Sequence, residues 1–196
     1  MNISIRPAAV EDVNEIANIV SASATSLLSE DYTSEQIEMI VEHFNADFYL
    51  EALSTNSREI FVAIAETIVG FGSIAEDGRA IADLFVLPDY TRQGIGTLLL
   101  ETLEQIALQK QAPRLWVMAS LTAQPFYASG GFKYEKDSAL IDAETGIKMP
   151  CVDMIKILAR RKNFQGDNPA YYGNLSTLTV SQFIRLTAKL LLGSSK

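Results

Sequence analysis

The sequence predicts an α/β protein of the α+β type: a mixed, mostly antiparallel sheet flanked by helices. Three observations carry this. Glu59 to Leu87 holds three runs rich in β-branched and aromatic residues, joined by turns too short for crossovers. One long apolar helical run then separates the third of these from the strand-like Leu115-Trp116-Val117-Met118-Ala119. Finally, two further strand-like runs are joined by a polar turn.

In order along the chain, Ile3 and Ile5 alternate with polar residues and open a strand. Val10, Val13, Ile16, Ala17 and Val20 fall on one helical face. Ser21 to Asp31 is rich in small polar residues and reads as a loop or ragged helix end. Thr33-Ser34-Glu35-Gln36 is a capping box, with Ile37, Ile40, Val41 and Phe44 lining the helix behind it. Asp47 to Leu53 continues that helix or makes another turn. Strands follow at Glu59–Ala65, Ile68–Ala75 and Ala80–Leu87, with turns at Glu66-Thr67 and Asp77-Gly78. A helix runs from about Gly96 to Lys110, and Pro113 follows its end. A strand, a long helix and a strand make a crossover, so the flanking strands are parallel or splayed neighbours. A short helix, Thr122 to Ser129, stops at Gly130-Gly131, and its Pro125 sits harmlessly in the first turn. Phe132–Lys136 and Cys151–Leu158 then form a hairpin about a turn at Asp142 to Gly146.

The chain has 196 residues and reads as one domain, 1–160, followed by 161–196, a linker and a C-terminal amphipathic helix. The linker, Asn163 to Asn174, contains Gly166, Pro169 and Gly173. The final helix, Thr179 to Leu192, carries an apolar stripe of Val180, Phe183, Ile184, Leu190 and Leu191. This tail either packs on its own domain or serves as an arm that covers a pocket or joins a partner subunit, with Tyr171-Tyr172 available to either contact. The net charge of −8 argues against a nucleic-acid partner. No apolar run reaches membrane-span length, and the opening residues lack a signal-peptide pattern. One cysteine and one histidine leave neither a disulfide nor a Cys- or His-rich metal centre, and a cytoplasmic location fits.

The run Leu87-Pro88-Asp89-Tyr90-Thr91-Arg92-Gln93-Gly94-Ile95-Gly96 ends a strand and opens a helix. Such a turn presents backbone N–H groups and a positive helix end to a phosphate, and Arg92 adds a cation. A triphosphate loop requires four residues between its glycines and then Lys with Ser or Thr. Here one residue separates Gly94 from Gly96, and no Lys follows. A dinucleotide loop requires a third glycine where this chain has Leu99, and the meander before the turn disagrees with a parallel nucleotide-binding sheet.

Arg92-Gln93-Gly94-Ile95-Gly96, between Val86-Leu87-Pro88 and an apolar helix, resembles the acyl-CoA pyrophosphate loop of the GNAT acetyltransferase superfamily. Ser120 to Phe132, with its Phe126-Tyr127 pair and its Gly130-Gly131-Phe132 ending, is similar to that superfamily's later segment. The order of elements agrees over roughly residues 1–160. The resemblance implies a splayed central strand pair, acetyl-CoA as co-substrate, no metal, and transfer of the acetyl group to a primary amine by direct attack. It implies that Leu84, Val86 and Leu87 offer backbone groups to the pantetheine arm, and that Gln93, Gly94, Ile95, Gly96 and Thr97 hold the pyrophosphate beside Arg92. Ser120 stands where many relatives place a cofactor-contacting Asn. Phe126 packs or touches pantetheine, and Tyr127 protonates the departing thiolate.

Asp83 is the candidate base, the nearest carboxylate in sequence, although regular alternation points it to the opposite face from Ala80 and Ala82 unless a bulge rotates it, and a structural capping or salt-bridge role is the favoured alternative. Glu30, Asp31 and Glu35 either draw in a cation or are simply solvated. His43 reads as a rim residue. Cys151 reads as a small buried residue, since no His-Asp partnership accompanies it. The acceptor, a small-molecule or peptide amine, is left open, as is a homodimer. Two non-enzymatic alternatives stand beside the enzyme: an acyl-CoA-binding sensor without a working base, and an interaction module built on the C-terminal helix.

Overall fold

The computed structural model describes residues 2–158 and 178–179. The proposed linker, Tyr171-Tyr172 and the helical stripe from Val180 onward lie outside them. Eight strands form one sheet in the order β1-β2-β3-β4-β5-β7-β6-β8. They are β1 (Ser4–Pro7), β2 (Arg58–Ile64), β3 (Ile68–Ala75), β4 (Ala80–Val86), β5 (Arg114–Ser120), β6 (Lys133–Ile141), β7 (Lys148–Ile157) and β8 (Leu178–Thr179). All neighbours are antiparallel except β4 with β5 and β6 with β8. The helices are α1 (Val13–Leu27), α2 (Ser34–His43), α3 (Ala46–Ser54), α4 (Ile95–Gln109) and α5 (Gln124–Ser129). The first three cover one face of the sheet, where Ile16, Ile19, Val20, Ile40, Tyr49 and Phe71 are buried together. On the other face α4 packs on β3 and β4, with Leu99, Leu100 and Leu103 at the contact, while α5 packs on β5 and β6.

Several expectations change in detail. Val10 belongs to a 3-10 turn, Val10–Asp12, and is 56% exposed; the buried stripe of α1 starts at Val13. There Asp12 accepts hydrogen bonds from Arg6 and from the Ala9 N–H, which tightens the entry to the helix. Ser21 to Leu27 is helical rather than a loop, because Ser23 and Ala24 are small enough to continue the buried face. Thr33 and Gln36 form the expected reciprocal capping box. Asp47 to Leu53 is a separate helix, since the Asn45 side chain accepts from the Phe48 N–H and restarts the chain. The hairpin strands are longer than expected, with β6 reaching Ile141 and β7 beginning at Lys148. Thr179 is a strand residue opposite Ile141, not the first residue of a helix.

Candidate active site

The site begins where β4 and β5 part. Only Ala80–Trp116 and Ile81–Val117 are paired between them, although both strands run several residues further. The Leu87 N–H donates to the Val69 carbonyl at 2.9 Å. By the alternation of an antiparallel ladder, Leu84 and Val86 therefore turn their backbone groups away from β3, toward the gap. On the far edge the Trp116 N–H bonds to the Arg79 carbonyl, so Met118 and Ser120 face the gap in the same rhythm. Leu87 does not fit the role expected of it. Its N–H goes to Val69, and its carbonyl accepts from the Tyr90 N–H. The Val86 carbonyl accepts from the buried Ser23 hydroxyl at 2.9 Å, which leaves the Val86 N–H as that residue's group for a ligand.

The glycine turn lies just beyond. Arg92 and Gly94 have φ of 61° and 85°, with Gln93 at negative φ between them. This alternation of hand curls successive N–H groups into a concavity. A Cβ on Gly94 would meet no protein atom within 4 Å, so that glycine answers to its backbone angle rather than to crowding by the protein. Gly96 is different: a Cβ there would lie 3.3 Å from the Phe126 ring. α4 starts at Ile95 without a side-chain cap, so the first N–H groups, those of Ile95, Gly96 and Thr97 among them, lack intrahelical partners. Arg92 and Gln93 are exposed, and the Gln93 amide donates to the Asp89 carbonyl.

A cavity of about 120 Å³ lies in the gap. Its lining includes Tyr127 and Ala123 on and before α5, Asp83 and Phe85 on β4, Ser120 on β5 beside its cross-strand partner Cys151 on β7, and Leu28, Ile40, Phe44, Leu140 and Met149. Tyr127 is 5% exposed and packs edge-on against Phe126 and Phe132. Burial, then the charge of Asp83, raises the pKa of its phenol, so it keeps its proton. The Ser120 hydroxyl accepts from the Ala123 N–H at 3.1 Å and shapes the turn into α5.

Asp83 shares its face with Ala80, contrary to regular alternation. Ser73 pairs with Asp83 but Ile74 with Ile81, so Ala82 is an extra residue and the bulge turns Asp83 over. Asp83 accepts from Arg58 Nη1 at 2.7 Å and from the Ser73 hydroxyl, all three side chains being buried. The Arg58 guanidinium lies over the Phe48 ring, 4.7 Å from its centroid. The buried Tyr49 hydroxyl completes the group, its pKa raised by burial and by Asp83. Arg58, Ser73 and Tyr49 were not singled out in the sequence. For Arg58 and Ser73 the signal was present as polar residues on the two apolar strands that precede the strand of Asp83; Tyr49, on α3, carried no such signal.

Tyr32 is the other missed residue. Its hydroxyl accepts from the Leu121 N–H at 2.6 Å and donates to the Pro150 carbonyl at 2.8 Å. It thereby ties the α1–α2 loop to the end of β5 and the beginning of β7. Tyr32→Phe leaves two backbone groups without that partner and should cost about 1–3 kcal/mol, read as a lower urea midpoint at unchanged slope. Beside it, the Thr122 hydroxyl bonds to Asp31. Glu30, Asp31 and Glu35 are exposed, and His43 is half-buried with Nδ1 2.9 Å from the Met39 carbonyl. Burial pushes the Cys151 thiol up to about 12, which suits a packing residue and not a thiolate nucleophile. Among the described residues no group of three His, Cys, Asp or Glu is placed to hold a metal ion, and no helix is long and apolar enough to cross a membrane.

A strand pair that parts after two residue pairs, with a bare helix N-terminus beside the gap, is the arrangement the two sequence motifs predict. A family model described as the acetyltransferase (GNAT) domain matches residues 28–155. The chain belongs to the GNAT acetyltransferase family. It is 33% identical over 136 residues to an uncharacterized N-acetyltransferase of Escherichia coli K12, YafP, covering 69% of this chain and 84% of that one. Among solved structures, a GCN5-related N-acetyltransferase from Rhodopseudomonas palustris superposes with a TM-score of 0.72 at 28% identity, covering 81% of this chain and 97% of that one. PaiA N-acetyltransferase from Thermoplasma acidophilum, solved in complex with coenzyme A, shares the fold with a TM-score of 0.66 at 24% identity, over 80% of this chain and 99% of that one.

Proposed function

We propose that the protein is an N-acetyltransferase that moves the acetyl group of acetyl-CoA to a primary amine in a ternary complex. The observation that carries this reading is the open edge of β4, with the Leu84 backbone and the Val86 N–H turned toward the gap and the glycine turn at its end. The edge suits the extended pantetheine arm, bound as an added strand, and the turn suits its pyrophosphate. A coenzyme A complex of a protein with this fold, PaiA, supports the same ligand. When bound, acetyl-CoA supplies a thioester carbonyl for direct attack by the amine.

The chain's own groups then have defined tasks. The Val86 N–H is positioned to donate to the thioester oxygen, as an oxyanion-hole donor does. Gln93 to Thr97 and Arg92 hold the anionic end, and Phe126 packs against the glycine turn beside it. Ser120 lines the arm's path. Tyr127, kept protonated, gives its proton to the departing sulfur. Asp83, turned into the cavity by the Ala82 bulge, receives the positive charge of the amine and takes its proton. The pairing of Asp83 with Arg58 and Ser73 is what favours a second reading, an acyl-CoA-binding module without turnover. Release of free CoA thiol from acetyl-CoA in the presence of primary amines decides between them. Amine-dependent thiol release is expected; tight CoA binding with no release by any amine would establish the second reading.

A further inference from the structure

The geometry points to an acceptor that is a compact primary monoamine on an uncharged apolar body. This rests on the acetyl-transfer reading and names its substrate class. Away from Tyr127, the cavity is walled by Leu28 at the end of α1, Ile40 on α2 and Phe44 just after it, and Leu140, Met149 and Cys151 on the β6–β7 hairpin. Ile40, Phe44, Leu140, Met149 and Cys151 are all less than 10% exposed. None of these six side chains carries a charge, and the cysteine is held as a neutral thiol. Among the described residues Asp83 is the one charged residue in the lining, and Arg58 is bonded to it.

One ammonium entering this cavity meets Asp83. A second ammonium, as on a diamine or polyamine, would be buried against aliphatic and aromatic carbon without a partner. A carboxylate, as on a free amino acid, would meet no cation in the lining among the described residues and would lie near Asp83. An apolar body loses nothing there and gains from leaving water. The small volume favours a compact molecule over a chain.

The test is CoA release by the full chain with 3-methylbutylamine, 2-phenylethylamine, 1,4-diaminobutane, spermidine, free leucine and a peptide with an N-terminal leucine. The expected kcat/KM for one of the two apolar monoamines exceeds that for every other amine at least about tenfold. A diamine, polyamine, amino acid or peptide turned over as well or better overturns the substrate class and leaves acetyl transfer standing. CoA binding without release by any amine overturns both. Met149→Glu puts a carboxylate into the wall and should move the ratio of diamine to monoamine turnover upward by about tenfold, whereas Met149→Gln, without the charge, should not. A Met149→Glu protein that keeps its native circular dichroism and an unchanged ratio also overturns the proposal. If that variant does not fold, the wild-type amine panel alone decides.

Discussion

Tyr127→Phe should lower kcat by about 10²- to 10⁴-fold while leaving CoA affinity within a factor of about two. The ring stays, so its edge-on contacts with Phe126 and Phe132 persist and the fold is preserved. Only the hydroxyl goes, and with it the proton for the departing sulfur. The pH profile supplies a second readout. Burial and the Asp83 charge both disfavour the phenolate, so Tyr127 stays protonated above the ordinary range of a tyrosine. Wild-type kcat/KM should therefore show no fall from loss of the acid as pH rises through 8. Normal turnover in Tyr127→Phe would remove the assignment, and so would a wild-type rate that falls as pH rises through 8.

The fold was legible where local chemistry and tertiary packing agree. The Thr33–Gln36 cap, the short turns of the meander and the glycine spacing of the phosphate turn depend on neighbouring residues alone, and each stands where the sequence put it. What escaped depends on partners far along the chain. The orientation of Asp83 hangs on one extra residue at Ala82, and nothing in Ala80-Ile81-Ala82-Asp83 announces a bulge. The burial of Arg58 and Ser73 with that carboxylate stabilises the turned-over arrangement across three strands. Similarly, Tyr32 sits before a recognisable helix cap, but its partners Leu121 and Pro150 lie about ninety and a hundred and twenty residues away. The family resemblance offered Leu87 as a third edge residue by position alone. Only the bond from its N–H to Val69 and the bond its carbonyl takes from Tyr90 show that its backbone is already committed. The C-terminal stripe lies outside the described residues, so truncation after Lys162 is still the direct probe of its part in activity.

The largest effect on stability is expected at Asp83→Ala. The side chains of Arg58 and Asp83 are 1% and 2% exposed, so removing the carboxylate leaves a guanidinium buried over the Phe48 ring with its charge unmatched. Breaking such a pair costs about 3–5 kcal/mol, equivalent to a fall in Tm of roughly 10 °C in a domain of this size. Removing both charges is a different case. Arg58→Met with Asp83→Leu takes away the buried ions together with the cost of keeping them from water, and should restore most of the loss. That double variant also separates the two roles of Asp83. If the carboxylate only balances Arg58, the restored fold should restore turnover. If it takes the proton of the amine, the double variant should fold, bind CoA and remain at least about 10²-fold slower. The second outcome is the one expected, because the bulge at Ala82 brings Asp83 to the cavity, whereas an unbulged β4 would have turned it to the opposite face.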